Sequence, residues 1–139
     1  MQKTLSRPVQ IMNTESGRED VFIVLCASGF ENIARARSAL MFASLASAAH
    51  YRTILYCIQN AVDIMVKGAI ERNETPQSGV PSLAQLLDEA LGTGVEIQCC
   101  TQTMANKNIS AEDLLEGVKA AGAMNLIALT SGACGALCF

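Results

Sequence analysis

The strongest signal along the chain is Val21-Phe22-Ile23-Val24-Leu25-Cys26, apolar at every position. A strand reads this way when helices cover both faces of its sheet, so the run predicts an interior strand of a parallel sheet. Ala27-Ser28-Gly29 signals a turn, and a helix is expected over 32–50, where Leu40, Met41, Ala43, Leu45 and Ala48 make a broad apolar stripe. Thr53-Ile54-Leu55-Tyr56-Cys57-Ile58 is the second strand, broken by Asn60 and Asp63. A short apolar helix over 63–70 contains Lys67-Gly68. The polar stretch 71–81 holds two of the three prolines and reads as a loop. Ser82 can cap a helix over 83–91, closed by Gly92 or Gly94. Val95-Glu96-Ile97-Gln98-Cys99-Cys100 is the third strand, and 101–108 is a connection with room for one helical turn. Ser110-Ala111-Glu112-Asp113 resembles a capping box, which predicts a helix over 111–120. A second, more apolar helix follows over 122–131, then a last strand, Ala136-Leu137-Cys138-Phe139, flanked by Gly132 and Gly135.

Strands and helices alternate four times. That pattern predicts an α/β fold with a mostly parallel sheet, right-handed crossovers and helices on both faces. Residues 1–20 read as an extension, with a short edge strand at 7–12 and a turn at 14–20. Residues 21–139 form the domain.

Composition narrows the function. The 139 residues suit one domain with its own core. Half of them are hydrophobic, but there is no Trp, so small aliphatic side chains build that core. The net charge is −3 without a Lys/Arg cluster, which argues against binding nucleic acid or anionic membranes by charge. The longest apolar run, 39–49, is too short to span a bilayer. The N-terminus lacks an apolar signal-peptide core, so a cytoplasmic address is expected.

Six cysteines could suggest a disulfide framework, but Cys26 and Cys57 lie inside apolar strands, where Cys acts as a small hydrophobe. No C-x-x-C pair occurs and His50 is the single histidine, so no metal site is expected. His50 itself reads as a surface residue at a helix end, and Met104 and Met124 as packing.

In open α/β sheets ligands bind beyond the carboxyl ends of the strands. Side chains of the third strand alternate between faces. Val95, Ile97 and Cys99 form an apolar set that points to the core. Glu96, Gln98 and Cys100 form a wetter set, and Cys100 ends the strand. Loop amides and the hydroxyls of Thr101 and Thr103 would favour a thiolate there. The competing interpretation is plain packing, the commonest fate of a free cysteine. Cys134, in Gly132-Ala133-Cys134-Gly135, is a second thiol candidate at a turn, whereas Cys138 reads as packed. Ser28, Gly29 and Asn32 offer a generic anion site at a helix start, which Arg35 and Arg37 could assist, although solvated arginines are the ordinary outcome.

These segments resemble one family. Ser28-Gly29-Phe30-Glu31-Asn32 after a buried strand, Ala61-Val62 to Lys67-Gly68, Cys99-Cys100-Thr101-Gln102-Thr103-Met104, and Gly122-Ala123-Met124-Asn125-Leu126-Ile127 through Ala136-Leu137-Cys138-Phe139 are similar to the DsrE/DsrF-like proteins, which include the TusD-type subunits of sulfur relays. The chain departs from that pattern at Cys99, Thr103 and Cys134 and in its first 20 residues. The resemblance implies a flavodoxin-like three-layer sandwich and a homo-oligomer, a trimer or hexamer. It also implies that Cys100 accepts sulfane sulfur as a persulfide and hands it from a donor protein to an acceptor, without cofactor. The oligomer interface is expected near the Cys100 loop or the apolar helix 63–70. A thiol redox protein, with Cys134 as the resolving cysteine, and a non-catalytic assembly module of the same fold are the alternatives.

Overall fold

The computed structural model describes residues 20–139. The extension, its edge strand and its turn therefore lie outside the described residues, apart from Asp20. Five strands, β1 (Val21–Cys26), β2 (Arg52–Cys57), β3 (Glu96–Cys100), β4 (Val118–Ala121) and β5 (Gly135–Cys138), pair in parallel in the order β4-β3-β2-β1-β5. β1 is interior, with β2 on one side and β5 on the other, as its unbroken apolar run requires.

The helices are α1 (Ile33–Ala48), α2 (Ala61–Ile64), α3 (Ala69–Asn73), α4 (Leu83–Gly92), α5 (Thr101–Asn106) and α6 (Ala123–Ser131), with 3-10 turns at Phe30–Asn32 and Ala111–Asp113. From β1 to β4 the chain steps along the sheet in one direction, then returns across it to place β5 beyond β1. Right-handed crossovers in opposite directions put their helices on opposite faces. On one face, Val24, Cys26, Leu55, Cys57, Ile97 and Cys99 pack with Ala36, Ala39, Leu40 and Ala43 of α1 and Leu83, Leu87 and Ala90 of α4. Cys26, Cys57 and Cys99 occupy one register row across β1, β2 and β3 within that core. On the other face, Ile23, Ile54, Tyr56 and Cys100 lie beneath Leu126 and Leu129 of α6.

The helix expected over 111–120 is absent. Ala111–Asp113 is a single 3-10 turn, and Val118–Ala121 pairs with β3 as the edge strand β4. Leu114, Leu115 and Val118 have helical spacing, but tertiary bonds prevail. Lys67 N–H donates to the Asp113 carbonyl, Leu115 N–H donates to the Met65 carbonyl, and Gly117 at φ 90° turns the chain into the strand. The helix expected over 63–70 is split into α2 and α3, because Gly68 takes φ 79° between them. Its apolar residues Ile64, Met65, Ala69 and Ile70 are buried in the chain's own core, so they are not the exposed apolar face expected of it. Among the other expectations, Cys138 is exposed, because β5 is an edge strand. Met124 is exposed as well, on the outer side of α6. His50 is exposed just past α1 at φ 74°.

Arg37 is no free surface arginine. It pairs with Glu74 at 2.9 Å, and the other Glu74 oxygen accepts the Leu83 N–H at the start of α4 at 2.8 Å. This carboxylate ties α1, the end of α3 and α4 together inside the protein, where its side chain is only 3% exposed. Glu74→Ala should lower unfolding stability by about 3 kcal/mol, the scale for breaking a buried pair, because Leu83 N–H then loses its acceptor. Urea denaturation checks this, and a change below about 1 kcal/mol would show that the pair is dispensable.

Candidate functional site

The three loops at the carboxyl edge of the sheet meet through short contacts. Gly29 follows β1 so closely against the chain after β2 that an added Cβ would stand 2.0 Å from the Asn60 carbonyl oxygen. Gln59 adopts φ 50°, an uncommon conformation for a residue with a side chain. Its N–H then donates to the Thr103 hydroxyl of α5 at 3.1 Å. Lys107, just past α5, holds the Asp63 carboxylate at 3.1 Å and the Asn60 amide oxygen at 3.4 Å. Glycine after β1, a tight turn after β2 and a helix directly after β3 thus lock the strand end that bears Cys100.

Cys100 ends β3 as the N-cap of α5. Its side chain lies on the face opposite Cys99, as strand alternation requires: Cys99 is in the core under α1 and α4, and Cys100 is in the smaller cluster with Tyr56, Ile23 and Ile54. The expectation of an open thiol is not met: Cys100 is buried. Cys100 is 7% exposed, because Tyr56, Ala121 and α6 crowd its face.

The surroundings of the sulfur favour its anion. Burial pushes the thiol pKa up, but the Thr103 N–H, the Tyr56 hydroxyl, the Thr103 hydroxyl and the Gln102 N–H together hold it below the ordinary value. The thiol itself makes no N-cap hydrogen bond. These donors stand ready for a charge that has not yet formed, and a thiolate draws them in more strongly than a thiol does. Thr103 is well suited to this. Its oxygen accepts from Gln59, leaving its own hydrogen for the sulfur.

No other thiol among the described residues has such a setting. Cys57 lies well above the ordinary value because of its bond with Cys99 and its burial, and burial raises Cys26. Cys134 is exposed, yet partial desolvation and the Asp20 charge raise its pKa too. Its thiol donates to the Val21 carbonyl at the amino end of β1, so Cys134 stands at the opposite end of the sheet from Cys100. A resolving role for Cys134 within one chain has no geometric basis.

The expected anion site after β1 is occupied from within. Gly29 N–H donates to the Glu31 carboxylate at 2.8 Å, and the Asn32 side chain accepts the Arg35 N–H at 3.2 Å. Ser28 is buried, and its carbonyl accepts the Cys26 thiol at 3.4 Å. These three residues build the loop and leave it little to offer an anion. Thr101 is exposed at the start of α5, near Gly122 at the start of α6. Tyr56 was missed at the level of sequence, where it read only as a strand residue. The described residues contain no group of three or more His, Cys, Asp or Glu side chains arranged to hold a metal ion. No helix among them is long and apolar enough to cross a membrane.

Comparison with known proteins agrees with this architecture. Residues 20–139 match the sequence profile of the DsrE/DsrF-like family. The chain is 27% identical over 116 residues to the uncharacterized protein MK0008 of Methanopyrus kandleri, covering 84% of this chain and 90% of that one. It is 32% identical over 94 residues to the uncharacterized protein MJ0989 of Methanocaldococcus jannaschii, covering 68% and 77%. In fold it is similar to the YchN protein of E. coli, with a TM-score of 0.64 and 21% identity, covering 88% of this chain and all of that one (100%). It is also similar to MTH1491 of Methanobacterium thermoautotrophicum, with a TM-score of 0.59 and 17% identity over 85% and 97% of the two chains.

Proposed function

Because the chain belongs to the DsrE/DsrF-like family, we propose that it is a sulfur carrier in which Cys100 accepts sulfane sulfur as a persulfide and passes it to a partner. The observation that carries this reading is the placement of Cys100 at the carboxyl end of β3, as the N-cap of α5 and beside Tyr56, where its thiol pKa is held below the ordinary value. A thiolate is the nucleophile in sulfur transfer. The Cys100 thiolate attacks the outer sulfur of a donor persulfide. The new S–S bond forms as the donor's S–S bond breaks, and the bonding pair leaves with the donor's inner sulfur as a thiolate. The second half repeats the exchange, with an acceptor nucleophile taking the terminal sulfur from Cys100. Neither half changes the total number of electrons, so the transfer calls for no redox cofactor.

A thiol with so little exposure receives sulfur only from a small donor or from a partner shaped to reach it. The outer side of α6 suits such contact, whether with a partner or with other copies of this chain in a trimer or hexamer. Met124 is 76% exposed and Ile127 58%, while Leu126 and Leu129 of the same helix pack toward Cys100. Apolar side chains left in water beside a site mark an interaction surface. We place the carrier in the cytoplasm, as residues 21–139 of a single domain. An assembly role without chemistry is the second reading, favoured by the burial of Cys100.

The pH dependence separates the two. The rate of alkylation follows the thiolate fraction, falling about tenfold per pH unit below the thiol pKa. With its pKa lowered, Cys100 should keep reacting with iodoacetamide at pH values where Cys134, with its pKa raised, no longer does. Peptide mapping of a pH series is expected to give a Cys100 profile displaced toward acid. A Cys100 profile at or above that of Cys134 would leave the assembly role.

A further inference from the structure

Tyr56 is the largest side chain among the fully buried residues, at 0% exposure, and it carries a polar atom into an apolar cluster. A buried phenol needs a partner, and this one donates to the Ala121 carbonyl at 2.9 Å. The register shows where that bond lies. Tyr56 on β2 pairs with Gln98 on β3, and Cys100 two residues further on pairs with Ala121 on β4. The ring therefore crosses β3, and its hydroxyl arrives where Cys100 and Ala121 sit side by side. The sulfur lies beside it, in the same buried cluster. The hydroxyl has one hydrogen to give, and the Ala121 carbonyl holds it.

We propose that Tyr56 is a working member of the site: its hydroxyl hydrogen rests on the Ala121 carbonyl while Cys100 is a thiol, and turns to the sulfur once the thiol has lost its proton to water. This rests on the reading of Cys100 as the sulfur-carrying thiol. A thiolate or persulfide anion accepts more strongly than a neutral carbonyl, so the charge on sulfur decides where the hydrogen goes. Burial supports the role, because it raises the Tyr56 pKa and keeps the phenol protonated while the thiol titrates. Ala121 continues directly into α6 through Gly122, so the bond that is given up lies at the root of the helix carrying Met124 and Ile127.

Two measurements on the full chain test this. In Tyr56→Phe, which keeps the ring, the pH profile of Cys100 alkylation should move toward alkali. The rate at neutral pH should drop about three- to tenfold and the alkaline plateau should hold. A tyrosine that served packing alone would leave the midpoint in place, and a coincident profile overturns the proposal. The second measurement keeps the wild-type side chain. With only two tyrosines in the chain, Tyr51 and Tyr56, the 13Cζ resonance of Tyr56 is readily followed. It should shift with the same midpoint as Cys100 ionisation and stay fixed in Cys100→Ser. A resonance that stays still while Cys100 titrates overturns the proposal even if Tyr56→Phe fails to fold. Failure of the underlying reading looks different: wild-type Cys100 would then take up no sulfur, whatever the Tyr56 resonance does.

Discussion

Gly29→Ala should destabilise the protein by about 3 kcal/mol or more, the upper range for overpacking, because the clash is with backbone on both sides. The new methyl carbon would sit 2.0 Å from the Asn60 oxygen and 2.6 Å from its carbonyl carbon, so no rotamer change relieves it. The loop after β1 must then part from the loop after β2. That movement carries Gln59 with it, and Gln59 holds the Thr103 hydroxyl. The same substitution should therefore raise the Cys100 pKa, seen as slower alkylation near neutral pH in the fraction that remains folded. Thermal or urea unfolding gives the first effect and peptide mapping the second. Wild-type stability in this variant would mean that the two loops are free to separate.

Cys100→Ser should abolish sulfur uptake, and Cys99→Ala should leave most of it. The two residues are neighbours in sequence and lie on opposite faces of the sheet. Cys99 is fully buried on the α1–α4 face, in register with Cys57. Cys100 faces Tyr56 and α6 and has the α5 donors at its sulfur. Serine keeps the shape at position 100, but at neutral pH its hydroxyl stays protonated and cannot form a persulfide. Cys99→Ala opens only a small cavity and should cost about 1 kcal/mol. Uptake is read as bound sulfane sulfur after incubation with a persulfide donor. Equal uptake by both variants would move the active thiol elsewhere.

Much of this could be read from local pattern. The unbroken run 21–26 marks an interior strand, and alternation along β3 assigns Cys99 and Cys100 to opposite faces. What escaped was set by distant contacts. β4 is short and alanine-rich, and its strand state depends on pairing with β3 and on the bonds that Asp113 and Leu115 make to the chain before α3. Cys138 looks like a core residue in sequence and is exposed because topology places β5 at an edge, a fact that nothing local encodes. Tyr56 meets Ala121 across 65 positions, so its polar role is invisible in a strand pattern that needs only its ring. The loop at 28–32 resembles an anion site in sequence because glycine and asparagine begin a helix there. Only the structure reveals that Glu31 and Asn32 already satisfy the amides.

The most direct test of the central claim is the site of sulfur loading on the native chain. The protein, with Cys99→Ala alongside because Cys99 and Cys100 share a peptide, is incubated with a small persulfide donor and its intact mass and fragments are measured. The account predicts a gain of one sulfur on Cys100 that a thiol reductant removes. A gain confined to Cys134 or Cys138, or no gain at all, would contradict it.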